Sequence, residues 1–244
     1  MEIAGPPRGT VRVPASVIRA SAGSEPEPVW RNNEGGLTFR IGGDRYAKWA
    51  PAGTPLDLAA ERDRMLWAGR HTPVPTPLTL IEDEEGSCLV TGALPGRSAV
   101  DERWLAEPAA AVRAIGEGLR ALHDALPVEQ CPFDWSVPER LERARRTGLR
   151  PDPSLEDAPP IDRLVVCHGD ACAPNTLLGE TGHWIGHVDL GTLGVADRWA
   201  DLAVATWSTA WNYGADWTDA LLGAYGVERD EERLRYYRAL WDAT

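Results

Sequence analysis

An apolar run, Leu164 to Cys167, leads into His168-Gly169-Asp170, and Asn175 follows five residues after that aspartate. A second apolar run, Trp184 to Val188, ends on Asp189 and Gly191. The glycines predict tight turns, so two short strands each deliver a carboxylate to a loop at their ends. Thr176 to Leu178 and Trp184 to Val188 read as a hairpin between the two acids. An aspartate, an asparagine and a second aspartate in this order are the parts that phosphoryl transfer requires. One carboxylate orients an attacking hydroxyl and accepts its proton, while an amide oxygen and a second carboxylate hold Mg²⁺ against phosphate oxygens. Hard oxygen ligands suit magnesium.

The N-terminal half supplies a cation. Among 25 Lys and Arg residues, Lys48 is the only lysine. A bias toward arginine explains the general scarcity but not why one position keeps a lysine. The two differ where a compact charge must fit against phosphate oxygens. Lys48 falls in a predicted strand, Arg45 to Trp49, and Tyr46 two residues earlier shares its face.

Around these residues the first hundred positions read mostly as strands: Glu27 to Asn32, Leu37 to Ile41, Arg45 to Trp49, Leu78 to Glu82 and Ser87 to Thr91. Asn33, Glu34, Gly35 and Gly36 form a turn, and Leu56 to Gly69 reads as a helix. After Gly92-Ala93-Leu94-Pro95-Gly96 the chain turns helical. Predicted helices cover Glu107 to Ala125, Pro138 to Thr147, Arg198 to Trp211, Trp217 to Tyr225 and Glu231 to Asp242, and the Pro-rich stretch Arg150 to Pro160 is a loop. The reading is an α+β chain with a β-rich lobe (1–91), a hinge (92–97) and an α-rich lobe (98–244).

The run Val165 to Asn175, the run Gly191 to Ala203 and the segment Cys131-Pro132-Phe133-Asp134 resemble the aminoglycoside 3′-phosphotransferases, antibiotic kinases with a protein-kinase-like fold. The resemblance extends from about Val29 to the C-terminus. It implies that Asp170 is the catalytic base and that Asn175 and Asp189 are the Mg²⁺ ligands. Lys48 would steady the phosphates of ATP or GTP, aligned by Glu61 in Glu61-Arg62-Asp63-Arg64-Met65-Leu66-Trp67. Tyr46 would stack on the base, and the turn at Asn33, Gly35 and Gly36 would cover the phosphates with backbone N–H groups. Arg198 and Asp201 would hold the catalytic loop in shape. Asp242 and the carboxylate of Thr244 would meet amines of the acceptor. Trp207 and Trp211, four apart on one helical face, read first as core packing, with an aromatic wall for the substrate as the alternative. Two places depart from the family. Arg146 to Leu164 is short where many members carry a longer acidic insertion, and Thr206 to Asn212 lacks the charges that members often present to the drug.

A net charge of −12 argues against a nucleic-acid partner, since a phosphate backbone needs a basic footprint; it suits either a cationic small molecule or solubility alone. No apolar stretch reaches 18 residues and none has signal-peptide length, so the expectation is a cytoplasmic enzyme, monomeric or homodimeric, that touches no membrane. Four scattered cysteines form no disulfide framework. Cys167, Cys172, His183 and His187 imitate a zinc spacing, but the last two flank a strand signal rather than lying on a helix. The alternatives are a kinase of another hydroxylated compound (a nucleoside or a sugar) and a catalytically silent nucleotide-binding regulator.

Overall fold

The computed structural model describes residues 4–214 and 216–244. The chain forms two compact units: Met1–Arg70 with Pro75–Leu94, and His71–Val74 with Pro95–Thr244. The short piece His71–Val74, assigned by sequence to the first lobe, belongs to the second unit.

The first unit starts with helix α1 (Ala15–Ser21) and continues through strands β1 (Glu27–Arg31), β2 (Leu37–Ile41) and β3 (Arg45–Pro51), helix α2 (Leu58–Ala68) and strands β4 (Pro77–Asp83) and β5 (Gly86–Gly92). The strands make one antiparallel sheet in the order β1-β2-β3-β5-β4. Period-two alternation sorts the side chains. Phe39, Ile41, Ala47, Cys88 and Val90 are buried on one face with Val17 of α1. Tyr46 and Lys48 lie on the opposite face, where Lys48 reaches α2. The start of α2 is set by Asp57, whose carboxylate accepts from the Ala60 N–H at 2.8 Å.

The second unit holds strand β6 (Arg97–Ser98), helices α3 (Glu102–Leu105), α4 (Pro108–Ala125) and α5 (Val137–Arg146), strands β7 (Leu164–Cys167), β8 (Thr176–Leu178), β9 (Trp184–His187) and β10 (Gly194–Asp197), and helices α6 (Trp199–Tyr213), α7 (Thr218–Tyr225) and α8 (Glu231–Ala243). Proline opens α4 at its first position, where its missing N–H has no helical partner to lose. Val112, Ile115, Leu119 and Leu122 of α4 are fully buried, each contributing about 2 kcal/mol of transfer free energy. Val112, Ile115 and Leu119 belong to one core with Leu202 and Ala203 of α6, Leu221 and Tyr225 of α7, and Leu234 and Leu240 of α8. Two small sheets sit in this helical frame, β7 with β10 and β6-β8-β9.

The sequence reading lacked α1, α3, β6 and β10. The predicted loop Arg150 to Pro160 is irregular except for one 3₁₀ turn, Pro153–Glu156. No helix among the described residues is long and apolar enough to cross a membrane.

Candidate active site

In the second unit, β7 and β10 pair antiparallel, with Cys167 opposite Gly194, and the loop that follows β7 carries Asp170. Gly169 must be glycine there. Its φ is +87°, and a Cβ would lie 2.2 Å from the Thr192 carbonyl oxygen. The loop is held from below by Asp201 of α6, which is wholly buried. Its carboxylate accepts from the His168 N–H (2.6 Å) and the Gly169 N–H (2.9 Å), and Nε2 of His123 lies at 2.9 Å. Nδ1 of His123 is 2.8 Å from the Tyr225 hydroxyl. Burial pushes the Asp201 carboxyl up, but the bond from His123 and the charges and amides around it hold it below its ordinary value.

His168 bridges the two acid-bearing loops. Its Nε2 faces the Val188 carbonyl at 2.9 Å, which can only accept, so Nε2 carries the proton. Nδ1 then accepts from the Asp170 N–H at 3.3 Å. A further tie comes from α6, where the Ser208 hydroxyl accepts from the Ala173 N–H at 2.9 Å.

Asp170 and Asn175 come together. The Asn175 amide nitrogen donates to the backbone oxygen of Asp170 (2.9 Å) and to its Oδ2 (3.1 Å). The other carboxylate oxygen, Oδ1, is buried without a hydrogen-bond partner. Burial pushes the Asp170 carboxyl up, the charge of Asp189 adds to this, and the Cys172 thiol, His168 and Asn175 partly offset it. Asp189 is exposed and sits in left-handed backbone conformation, φ +63°. A non-glycine residue in that region marks a strained, over-determined position. With its nitrogen committed to Asp170, Asn175 keeps its amide oxygen as a ligand. With the Asp189 carboxylate it makes a hard-oxygen donor set, beside a buried oxygen that lacks a partner. That chemistry fits Mg²⁺.

In the first unit, Lys48 Nζ lies 3.1 Å from Oε1 and 2.8 Å from Oε2 of Glu61, joining β3 to α2. Glu61 is only 4% exposed, so this pairing offsets part of the cost of burying its charge. The turn between β1 and β2 is organised by a residue the sequence reading passed over. The Asn32 side chain accepts from the Glu34 N–H (3.1 Å) and the Gly36 N–H (2.7 Å), and the Asn32 carbonyl accepts from the Gly35 N–H (3.3 Å). These amides, expected to face phosphate, are turned onto Asn32. Gly36 leaves no room for a side chain, since a Cβ would lie 2.7 Å from the Asn32 amide and 2.8 Å from Leu56.

Trp207 and Trp211 of α6 meet a third indole, Trp241 of α8. Ring centroids lie 4.8 Å apart for Trp207–Trp211, 6.1 Å for Trp207–Trp241 and 5.8 Å for Trp211–Trp241. Trp211 is 52% exposed. Asp242 is exposed, whereas the Thr244 hydroxyl is engaged by Arg140. Of the acids in the short segment before β7, Asp152 caps the 3₁₀ turn and Glu156 pairs with Arg145. The Arg198 side chain pairs with Asp162 at 2.6 Å. The zinc spacing does not assemble. His183 is exposed, His187 is buried, and the Cys167 thiol donates to the Asp197 carbonyl. His123, Cys167 and Asp201 do cluster, but His123 and Asp201 are already bonded to each other and Asp201 to the loop.

Residues 17–237 match the family described as the phosphotransferase enzyme family. An aminoglycoside 3′-phosphotransferase of Streptomyces fradiae is 34% identical over 257 residues, covering 93% of this chain and 90% of that protein. A streptomycin 3″-kinase of Streptomyces griseus is 36% identical over 242 residues, covering 86% and 88%. Among solved structures, the aminoglycoside phosphotransferase APH(3″)-Id of Streptomyces rimosus superimposes with a TM-score of 0.74 at 32% identity, covering 92% of this chain and 95% of that one. The same enzyme is also known in complex with ADP and streptomycin. The α+β, protein-kinase-like architecture expected from the sequence is the fold of these enzymes.

Proposed function

We propose that this chain, which belongs to the phosphotransferase enzyme family, moves the γ-phosphate of ATP or GTP to a hydroxyl of an aminoglycoside. The observation that carries this reading is Asp170. Its carboxylate is partly buried, fixed by Asn175 on one oxygen and without a partner on the other. A carboxylate in that state accepts a hydroxyl hydrogen bond at the free oxygen and takes the proton as the new P–O bond forms and the bond from the γ-phosphorus to the leaving nucleoside diphosphate breaks. The raised pKa suits the task, because it brings the base nearer to neutral pH.

Asn175 and Asp189 would hold Mg²⁺, which when bound neutralises charge on the phosphates. Lys48, aligned by Glu61, steadies the nucleotide phosphates, and Tyr46 stacks on its base from the same face of β3. Phosphate binding requires the turn at Asn33, Gly35 and Gly36 to release amides from Asn32. On the acceptor side the candidates are Asp242, Thr244, Trp207 and Trp211, now joined by Trp241. The comparisons support an aminoglycoside, since streptomycin and ADP are bound by a relative at 31% identity. A nucleotide-consuming enzyme of this kind belongs in the cytoplasm.

The indole cluster favours a second reading. An aromatic face on α6 and α8 suits a hydroxylated acceptor with fewer amines, such as a nucleoside, a sugar or another antibiotic. The test is Mg²⁺-dependent nucleotide consumption across a panel of aminoglycosides, nucleosides and simple sugars. Saturable turnover with streptomycin or a kanamycin-type drug is expected. Turnover with a nucleoside or sugar alone would move the assignment to the second reading.

A further inference from the structure

Arg140 of α5 is 2% exposed. A buried guanidinium ordinarily pairs with a carboxylate, because an uncompensated charge in the interior is expensive. Among the described residues no carboxylate lies in ion-pairing distance of Arg140. Its Nε and Nη2 both donate to one neutral acceptor, the Thr244 hydroxyl, at 3.2 and 2.9 Å. Nη1 is buried with no acceptor at all. Burial pulls the guanidinium down to about 10, which still leaves it charged at neutral pH. Two features offset the cost in part. The guanidinium carbon lies 5.0 Å from the centroid of the Trp135 ring, and the group sits at the C-terminal end of α8, where the helix dipole is negative.

The Thr244 hydroxyl in turn donates to the Leu240 carbonyl at 2.7 Å, in the last turn of α8. The chain of contacts therefore runs from α5 through Arg140 and Thr244 into the turn that carries Trp241 and Asp242. A methionine of similar length in place of Arg140 would fill the volume without the desolvation penalty. Stability alone does not explain an arginine here.

We propose that Arg140 is a positioning residue that latches the last turn of α8, and with it Trp241 and Asp242, in the place from which they meet the acceptor. This rests on the functional reading above. Arg140 touches neither reacting atom; it acts through the turn it holds.

Two variants separate this from core packing. Arg140→Met is expected to keep or raise the melting temperature. It should speed amide hydrogen exchange at residues 236–244 and raise the acceptor KM by about tenfold, with the nucleotide KM unchanged. Thr244→Val is expected to move stability the other way, because it strands two further guanidinium N–H groups, while raising the acceptor KM alike. An Arg140→Met enzyme that melts lower and loses kcat and both KM values together would make Arg140 a packing residue and end the proposal. So would unchanged exchange and unchanged acceptor KM. If the wild type turns over no aminoglycoside, the functional reading fails instead. Exchange at residues 236–244 then decides the latch, and equal rates in wild type and Arg140→Met would sink it.

Discussion

Asp201 never approaches a reacting atom, yet it accepts the two amides that shape the loop ahead of Asp170. Its carboxyl is held below the ordinary value of 3.8. A group with a depressed folded pKa stabilises the fold above its unfolded pKa, and that contribution is lost as pH falls through the folded value. The unfolding free energy of wild type should therefore exceed that of Asp201→Asn by a constant margin at pH 6 and 8, and the margin should shrink below about pH 4. A margin independent of pH would show that the charge is not what matters. At Asp170 the expectation concerns chemistry. Asp170→Ala should lower kcat by about 10²- to 10⁴-fold while nucleotide affinity, measured by titration, stays near wild type. Full turnover by that variant would remove Asp170 as the base. Asp170, Asn175 and Asp189 were legible in sequence because they fall within twenty residues and follow apolar runs. The supports of Asp201 were not, since His123 and Tyr225 lie far along the chain and meet it only through the packing of α4, α6 and α7.

At the scale of elements, the lysine site is a contact between one strand and one helix. Lys48 is carried by β3, and Glu61 is buried on α2. Glu61→Gln keeps the shape and removes the charge, which weakens the hold on the Lys48 ammonium. The nucleotide KM should rise by about tenfold with the acceptor KM unchanged, read from steady-state kinetics. Equal effects on both substrates would point to a general loss of folding instead. The sequence pointed to this pair only through the resemblance of Glu61 to Trp67 to the family's helix, since adjoining strand and helix signals do not by themselves choose one acid. Helix α1 was not, since it has only seven residues and buries only Ser16, Val17 and Ser21. A single apolar anchor gives no periodicity, and the helix exists because the sheet face of Phe39, Ile41 and Val90 needs a cover. Strand β10 was missed for a related reason. Gly194-Val195-Ala196-Asp197 has little strand propensity, and pairing with β7 supplies what local preference does not. Trp241 joins Trp207 and Trp211 across two helices, a meeting that spacing within one helix could not announce.

For the whole molecule the dominant quantity is charge, 37 acidic against 25 basic side chains, a net −12. Many of the arginines are already paired at the surface: Arg19 with Asp83, Arg103 with Glu180, and Arg163 with Asp124. Each such pair contributes little to stability, about 0–1 kcal/mol, and leaves the acidic excess to set the long-range field. A polycationic acceptor is drawn toward such a surface and a polyanionic nucleotide is repelled by it. Salt screens both effects, with a Debye length near 10 Å at about 0.1 M ionic strength. Raising NaCl from about 20 mM to about 300 mM should therefore lower kcat/KM for an aminoglycoside by roughly threefold to tenfold, while kcat/KM for the nucleotide holds or rises. The opposite signs matter more than either magnitude, because a general effect of salt on folding or on kcat would move both in one direction. If the acceptor dependence is flat, the negative charge serves solubility alone. Selection of the acceptor would then fall to contacts at short range, for which the three indoles and Asp242 are the proposed candidates.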